Sequence, residues 1–278
     1  TTKLEKKNDK LEPTITMVTT SPTYLLVAFG LAASLCSSDD CDSSASLDII
    51  FMVDSSGSVY DPDFQQWHDE IDLVAHIVED SLPINSRVGL VNFAGCSSRF
   101  DVEQCMEQGR LKKMMALNDF GSPNNLQSVL TRIEAIGPED FLGGYTWTEE
   151  ALQMAEQEFA VNSQDDSAQK VIVLVTDGEP WPQDHAPCRS STGYISPTLQ
   201  ALKESEVLII AVGIALSGEA VVDFFQCMVD DLHTDFFYAQ DFDALPDLGD
   251  SIGARICDEL ETKTTMQSTN DAFSSTLP

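Results

Sequence analysis

Three apolar runs constrain what this chain can fold into more than any other feature: IIFMV at 49–53, VIVLV at 171–175 and VLIIAVGI at 207–214. Each is as long as a strand and too continuous for a surface one, so each must be covered on both faces. Between the runs the apolar period changes. Trp67, Ile71, Val74 and Val78 recur at helical spacing within 64–78, as do Leu126, Val129, Leu130, Ile133 and Ile136, and 148–159 repeats the pattern. Arg87 to Phe93 reads as a further strand, and 111–117, with Lys112 and Lys113 beside Met114 and Met115, as a short edge strand guarded by charge. Buried strands alternating with amphipathic helices predict an α/β fold: a doubly wound, mainly parallel central sheet with one short antiparallel edge strand and helices on both faces, Rossmann-like in plan.

An apolar content of 42% is ample for such a core. The charge is lopsided, with 15 Lys and Arg against 46 Asp and Glu and a formal net charge of -31. A surface of this sign repels nucleic acid and anionic membranes, which excludes both as partners, and it otherwise confers solubility or suits a salty surrounding.

The chain divides unevenly. Residues 1–36 are signal-peptide-like, because YLLVAFGLAASL at 24–35 has the length of a signal h-region and falls short of a membrane span. Residues 37–46 form a polar lead-in, 47–258 the folded domain, and 259–278 a Ser/Thr-rich linker or tail without periodicity. Seven cysteines agree with an oxidising compartment. If processing removes Cys36, the simplest pairing is Cys41 with Cys257, Cys96 with Cys105 and Cys188 with Cys227, one of many connectivities that six cysteines allow. No C-x2-C pair is present and the histidines are scattered, so a zinc site is disfavoured.

In an open parallel sheet, ligands bind beyond the carboxyl ends of the strands. Three polar clusters fall there: Asp54, Ser56 and Ser58 in DSSGS after the first strand, Thr146 in GGYTWT before a helix, and Asp177 in VTDG after the 171–175 strand. Two carboxylates and three hydroxyls are hard oxygen donors suited to Mg2+, with Mn2+ or Ca2+ as alternatives. Gly57 is expected to turn the backbone so that Ser56 and Ser58 face the same point as Asp54. Each cluster alone is an ordinary turn or strand exit. Their order and placement make them a set.

Together these residues resemble the von Willebrand factor type A domain with a complete metal-ion-dependent adhesion site. The resemblance implies that Asp54, Ser56, Ser58, Thr146 and Asp177 contact the ion, directly or through water, and that an acidic group of a protein ligand completes the coordination. It implies a secreted or cell-surface adhesion module, not an enzyme, whose partner is an extracellular protein of a matrix or cell surface. Tyr60, Gly144, Tyr145, Glu179 and Trp181 are expected on the ligand-binding rim. The alternatives are a Mg2+-dependent phosphohydrolase, for which no cluster supplies a Lys or Arg to hold phosphate, and a module whose metal only stabilises the fold. The chain departs from the family pattern at Glu149 and Glu150, which add negative charge beside Thr148, and in two long segments, 95–110 and 179–197.

Overall fold

The computed structural model describes residues 41, 46–95, 111–117, 119, 126–163, 167–178, 180–181, 186–216 and 219–274. The signal-like segment, most of the polar lead-in, Cys96, Cys105 and Glu179 lie outside the described residues.

Chain order runs β1 (Leu47–Asp54), α1 (Gln65–Asp80), β2 (Ser86–Phe93), β3 (Leu111–Met115), α2 (Leu126–Glu134), α3 (Thr148–Asn162), β4 (Gln169–Thr176), β5 (Cys188–Arg189), β6 (Tyr194–Ile195), α4 (Pro197–Glu204), β7 (Leu208–Ile214), α5 (Glu219–Met228), β8 (Phe236–Ala239) and α6 (Gly249–Ser274). Six of the described strands form one sheet in the order β3-β2-β1-β4-β7-β8, parallel except for β3 against β2. The expected doubly wound sheet with one antiparallel edge strand is therefore present.

Alternation along each strand divides the core into two layers. Leu47, Ile49, Phe51 and Val53 of β1, with Val171, Val173 and Val175 of β4, pack against residues of α1, α2 and α6. Ile50 and Met52, with Ile172 and Leu174, pack against α3, α4 and α5. Phe224 and Phe225 are core residues, whereas Phe236 and Phe237 lie on β8 and are only partly buried.

One charged group interrupts the first strand. Asp48 is fully buried and pairs with Arg87, opposite it on β2, through Nε at 2.6 Å and Nη2 at 2.7 Å, while Ser163 donates to it at 2.7 Å. This pair sits at the amino ends of the parallel strands, away from the clusters identified above. The edge strand's lysines are also paired rather than merely exposed: Lys113 Nζ reaches Glu158 at 2.7 Å, and Lys112 reaches Asp140.

Two elements depart from the sequence expectation. Residues 259–274, read as an irregular tail, continue α6 as helix. Thr262 and Thr265 hold their hydroxyls on carbonyls four residues back, at 2.8 and 2.9 Å, so polar side chains without an apolar period still accommodate the helix. The long loop after Asp177 contains the hairpin β5–β6, tied to α5 by a Cys188–Cys227 disulfide. A second disulfide, Cys41–Cys257, joins the start of the described domain to α6.

Candidate functional site

The site lies where the chain leaves β1 in one direction for β2 and returns on its other side as β4, the switch point of the sheet. Asp54 is the last residue of β1 and Thr176 the last of β4. Asp54 is fully buried. Its Oδ1 accepts the backbone N–H of Ser56 at 2.8 Å, and its Oδ2 accepts the hydroxyl of Thr176 at 2.6 Å. Ser56 and Ser58 hydroxyls stand 3.0 Å apart, and Ser58 Oγ donates to Asp177 Oδ1 at 2.8 Å. A line of hydrogen bonds thus runs from Asp54, through the Ser56 N–H and the two serine hydroxyls, to Asp177, across 119 residues of sequence between Ser58 and Asp177.

The loop that carries Thr146 is tied to the DSSGS loop through backbone. Gly143 N donates to Ser55 O and Gly57 N to Gly144 O, both at 2.8 Å, stitching the two loops together. Left-handed backbone is needed in the second loop, at Gly143 (φ 65) and Gly144 (φ 115). Gly57 lies in the turn expected of it, spanned by the bond from Val59 N to Ser56 O, and close approach adds a second demand: a Cβ there would sit 3.3 Å from the Gly144 carbonyl oxygen. Reciprocal backbone bonds between Gly95 and Tyr145 pin the same loop to the end of β2, and Gly95 has no room for a side chain over the Trp147 indole. Ser55 is held to Asn92, and Asn92 to the Asp140 carbonyl, which braces the first loop from below.

Of the expected rim residues, Tyr60 and Trp181 are each 54% exposed, while Gly144 and Tyr145 are half-buried. Trp181 N donates to Thr146 O at 3.0 Å, which fixes the Trp181 backbone beside the Thr146 loop. Tyr60 packs on Phe64 and Phe141, ring centroids 5.5 and 6.0 Å away, and this aromatic cluster supports Phe64 in a left-handed conformation (φ 56) at the start of α1. Asp61 caps that helix, accepting from Gln66 N at 3.1 Å.

Electrostatically the site is an uncompensated pair of acids. Burial, and then the charge of Asp177, push the Asp54 carboxyl up to about 7. Burial also raises Asp177, against the pull of its bond from Ser58. Among the described residues neither carboxylate has a Lys or Arg ion pair. A hard divalent cation suits such a set: it relieves the repulsion, and the donors are oxygens only. No three His, Cys, Asp or Glu side chains converge as a metal cage among the described residues, so any ion here relies on hydroxyls as well as two carboxylates. Thr176 escaped notice in the sequence. Its signal was its position, at the end of the strand that runs parallel to β1.

A model of the von Willebrand factor type A domain matches residues 48–251. The human collagen alpha-6(VI) chain is 25% identical over 234 residues, 82% of this chain and 9% of that one. Among solved structures, proximal thread matrix protein 1 of the mussel byssus is similar in fold, with a TM-score of 0.59 at 21% identity over 78% of this chain and 49% of that one. A second structure of that protein, described as having a zinc-occupied MIDAS motif, gives 0.57 at 18% identity, covering 78% and 47% of the two chains. The pilus adhesin SpaC of Lactobacillus rhamnosus GG gives 0.54 at 16% identity over 78% and 30%. The chain spans less than half the length of each of these proteins.

Proposed function

Given that this chain belongs to the von Willebrand factor type A domain family, we propose that it is an extracellular adhesion module that binds a protein partner through a divalent cation. We read it as a binding module rather than an enzyme, in keeping with the family assignment. Asp54, Ser56, Ser58, Thr146 and Asp177 are the residues that would hold the ion, Mg2+ foremost and Mn2+ or Ca2+ in its place. When bound, the cation supplies a Lewis-acidic position for an acidic group of the partner. The chain's own residues do the rest. Ser56, Ser58 and Thr146 offer neutral oxygens, which leave net positive charge for the partner's carboxylate, and Tyr60, Tyr145 and Trp181 offer an aromatic rim beside it. The extracellular matrix or a cell surface is the proposed setting, consistent with secretion and with disulfide bonding.

What carries the reading is the hydrogen-bonded line from Asp54 to Asp177, which joins a fully buried carboxyl to a half-buried one, with no Lys or Arg ion pair to either among the described residues. The zinc-occupied motif of the mussel byssus protein supports it as a precedent within the same fold. Calorimetric titration with MgCl2 and MnCl2 tests it, with Asp54→Ala as control. Binding by the wild type and its loss in the variant are expected, and a wild type that binds neither ion at millimolar concentration rules the reading out. Retention of proteins from an extracellular-matrix extract on the immobilised chain should then be abolished by EDTA. Retention that EDTA leaves unchanged would assign the ion to stability alone.

A further inference from the structure

One acidic side chain near the site has no role in the set described above. Glu70 lies in the second turn of α1, on the face that also carries Trp67, Ile71 and Val74, and its relative exposure is zero. Both of its carboxyl oxygens lack a hydrogen-bond partner, as does the buried Trp67 Nε1 one turn earlier on the same face. An unpartnered carboxyl in a core is costly, and natural cores hold such groups rarely. Burial raises this carboxyl well above its usual range. The charges acting on it are all negative and come first from Asp54, then Asp177, then Asp69. The face of α1 that carries Glu70 packs in the same core layer as Val53 and Val59, which flank the DSSGS turn, so Glu70 sits behind the site.

We infer that Glu70 is a positioning residue for the cation, set behind Asp54 and Asp177 so that its carboxyl adds to the hold on the ion without ligating it. The inference rests on the cation-site reading given above. Glu70 is excluded from direct ligation because no three carboxylates converge among the described residues. A role from behind accounts for the otherwise unexplained combination of complete burial, two unpartnered oxygens and an all-negative surrounding. The positive charge that would balance Glu70 is the one that Asp54 and Asp177 also require. A negative charge set behind the ligands strengthens the hold on a cation through its field in the protein interior. A third carboxyl near the ion also favours tight retention of the cation over a strong pull on the partner's acidic group.

Glu70→Gln preserves shape and removes the charge, and Glu70→Leu replaces the group with an ordinary core side chain should the amide prove unsuited to the site. Both are compared with wild type and Asp54→Ala by calorimetric titration with MnCl2, alongside thermal melting in EDTA. The expected result is a loss of Mn2+ affinity of about 10- to 100-fold in the Glu70 variants, the order that a charge several ångströms from the ion supplies in a protein interior, with melting in EDTA at or above the wild-type temperature. Unchanged Mn2+ affinity in either folded variant would overturn the inference and mark Glu70 as a neutral core acid, while leaving the cation site intact. A wild type that binds no Mn2+ would instead remove the underlying reading, and this inference with it.

Discussion

At the scale of single residues, the site's chemistry follows from where charge is placed relative to water. Asp54 is the clearest case: a carboxyl with an ordinary value of 3.8 is lifted to about 7 by burial and by Asp177. Because the folded value lies above the unfolded one, the folded state binds the proton more tightly. Its contribution to stability is therefore undiminished below about pH 4 and is lost as pH rises towards 7. In EDTA, Asp54→Asn should grow more stable relative to wild type across that window, by up to about 1.4 kcal/mol per pH unit. Equilibrium denaturation at pH 5 and pH 8 measures this, and an equal difference at both values contradicts it. DSSGS and VTDG were legible in the sequence because their oxygens lie within a few residues of one another. Glu70 was not, since one acid in an amphipathic helix carries no local sign that its side chain turns inward under a distant aspartate.

At the scale of elements, parallel strands do the positioning, and their stability depends on a second acid at the other end of β1. Asp48 interrupts an apolar strand and is buried, which raises its carboxyl, while Ser163 and Arg87 pull it back down. Removing Arg87 would leave this charge without its partner in the core. Arg87→Ala should therefore cost about 3–5 kcal/mol in urea denaturation, in the range found when one member of a buried pair is deleted. A loss below about 1 kcal/mol would place the pair among the weak surface bridges. The strands and long helices were legible because their apolar periods are strong. The elements that escaped were short, as with β5, β6 and β8, or lacked an apolar period, as with the end of α6. The edge-strand lysines were read from local contrast as a guard against pairing, whereas Glu158 and Asp140, which hold them, come from elsewhere in the chain.

At the scale of the whole molecule, the site exists only because the fold assembles it. Asp54, Thr146 and Asp177 belong to three distant segments, brought to one end of the sheet by the β1–β4 register and by backbone bonds between two glycine-bearing loops. The Cys41–Cys257 bridge closes the chain over a sequence separation of 216 residues, restricting the unfolded state in which those segments drift apart. Surface charge acts at this scale too: a net charge of -31 disfavours polyanions as partners. The most direct test is therefore crystallographic. Crystals of the intact chain grown with MnCl2, measured at the manganese absorption edge, should show an anomalous peak among the side-chain oxygens of Asp54, Ser56, Ser58, Thr146 and Asp177. A map with no peak there, or with the ion bound elsewhere on the molecule, would contradict the account.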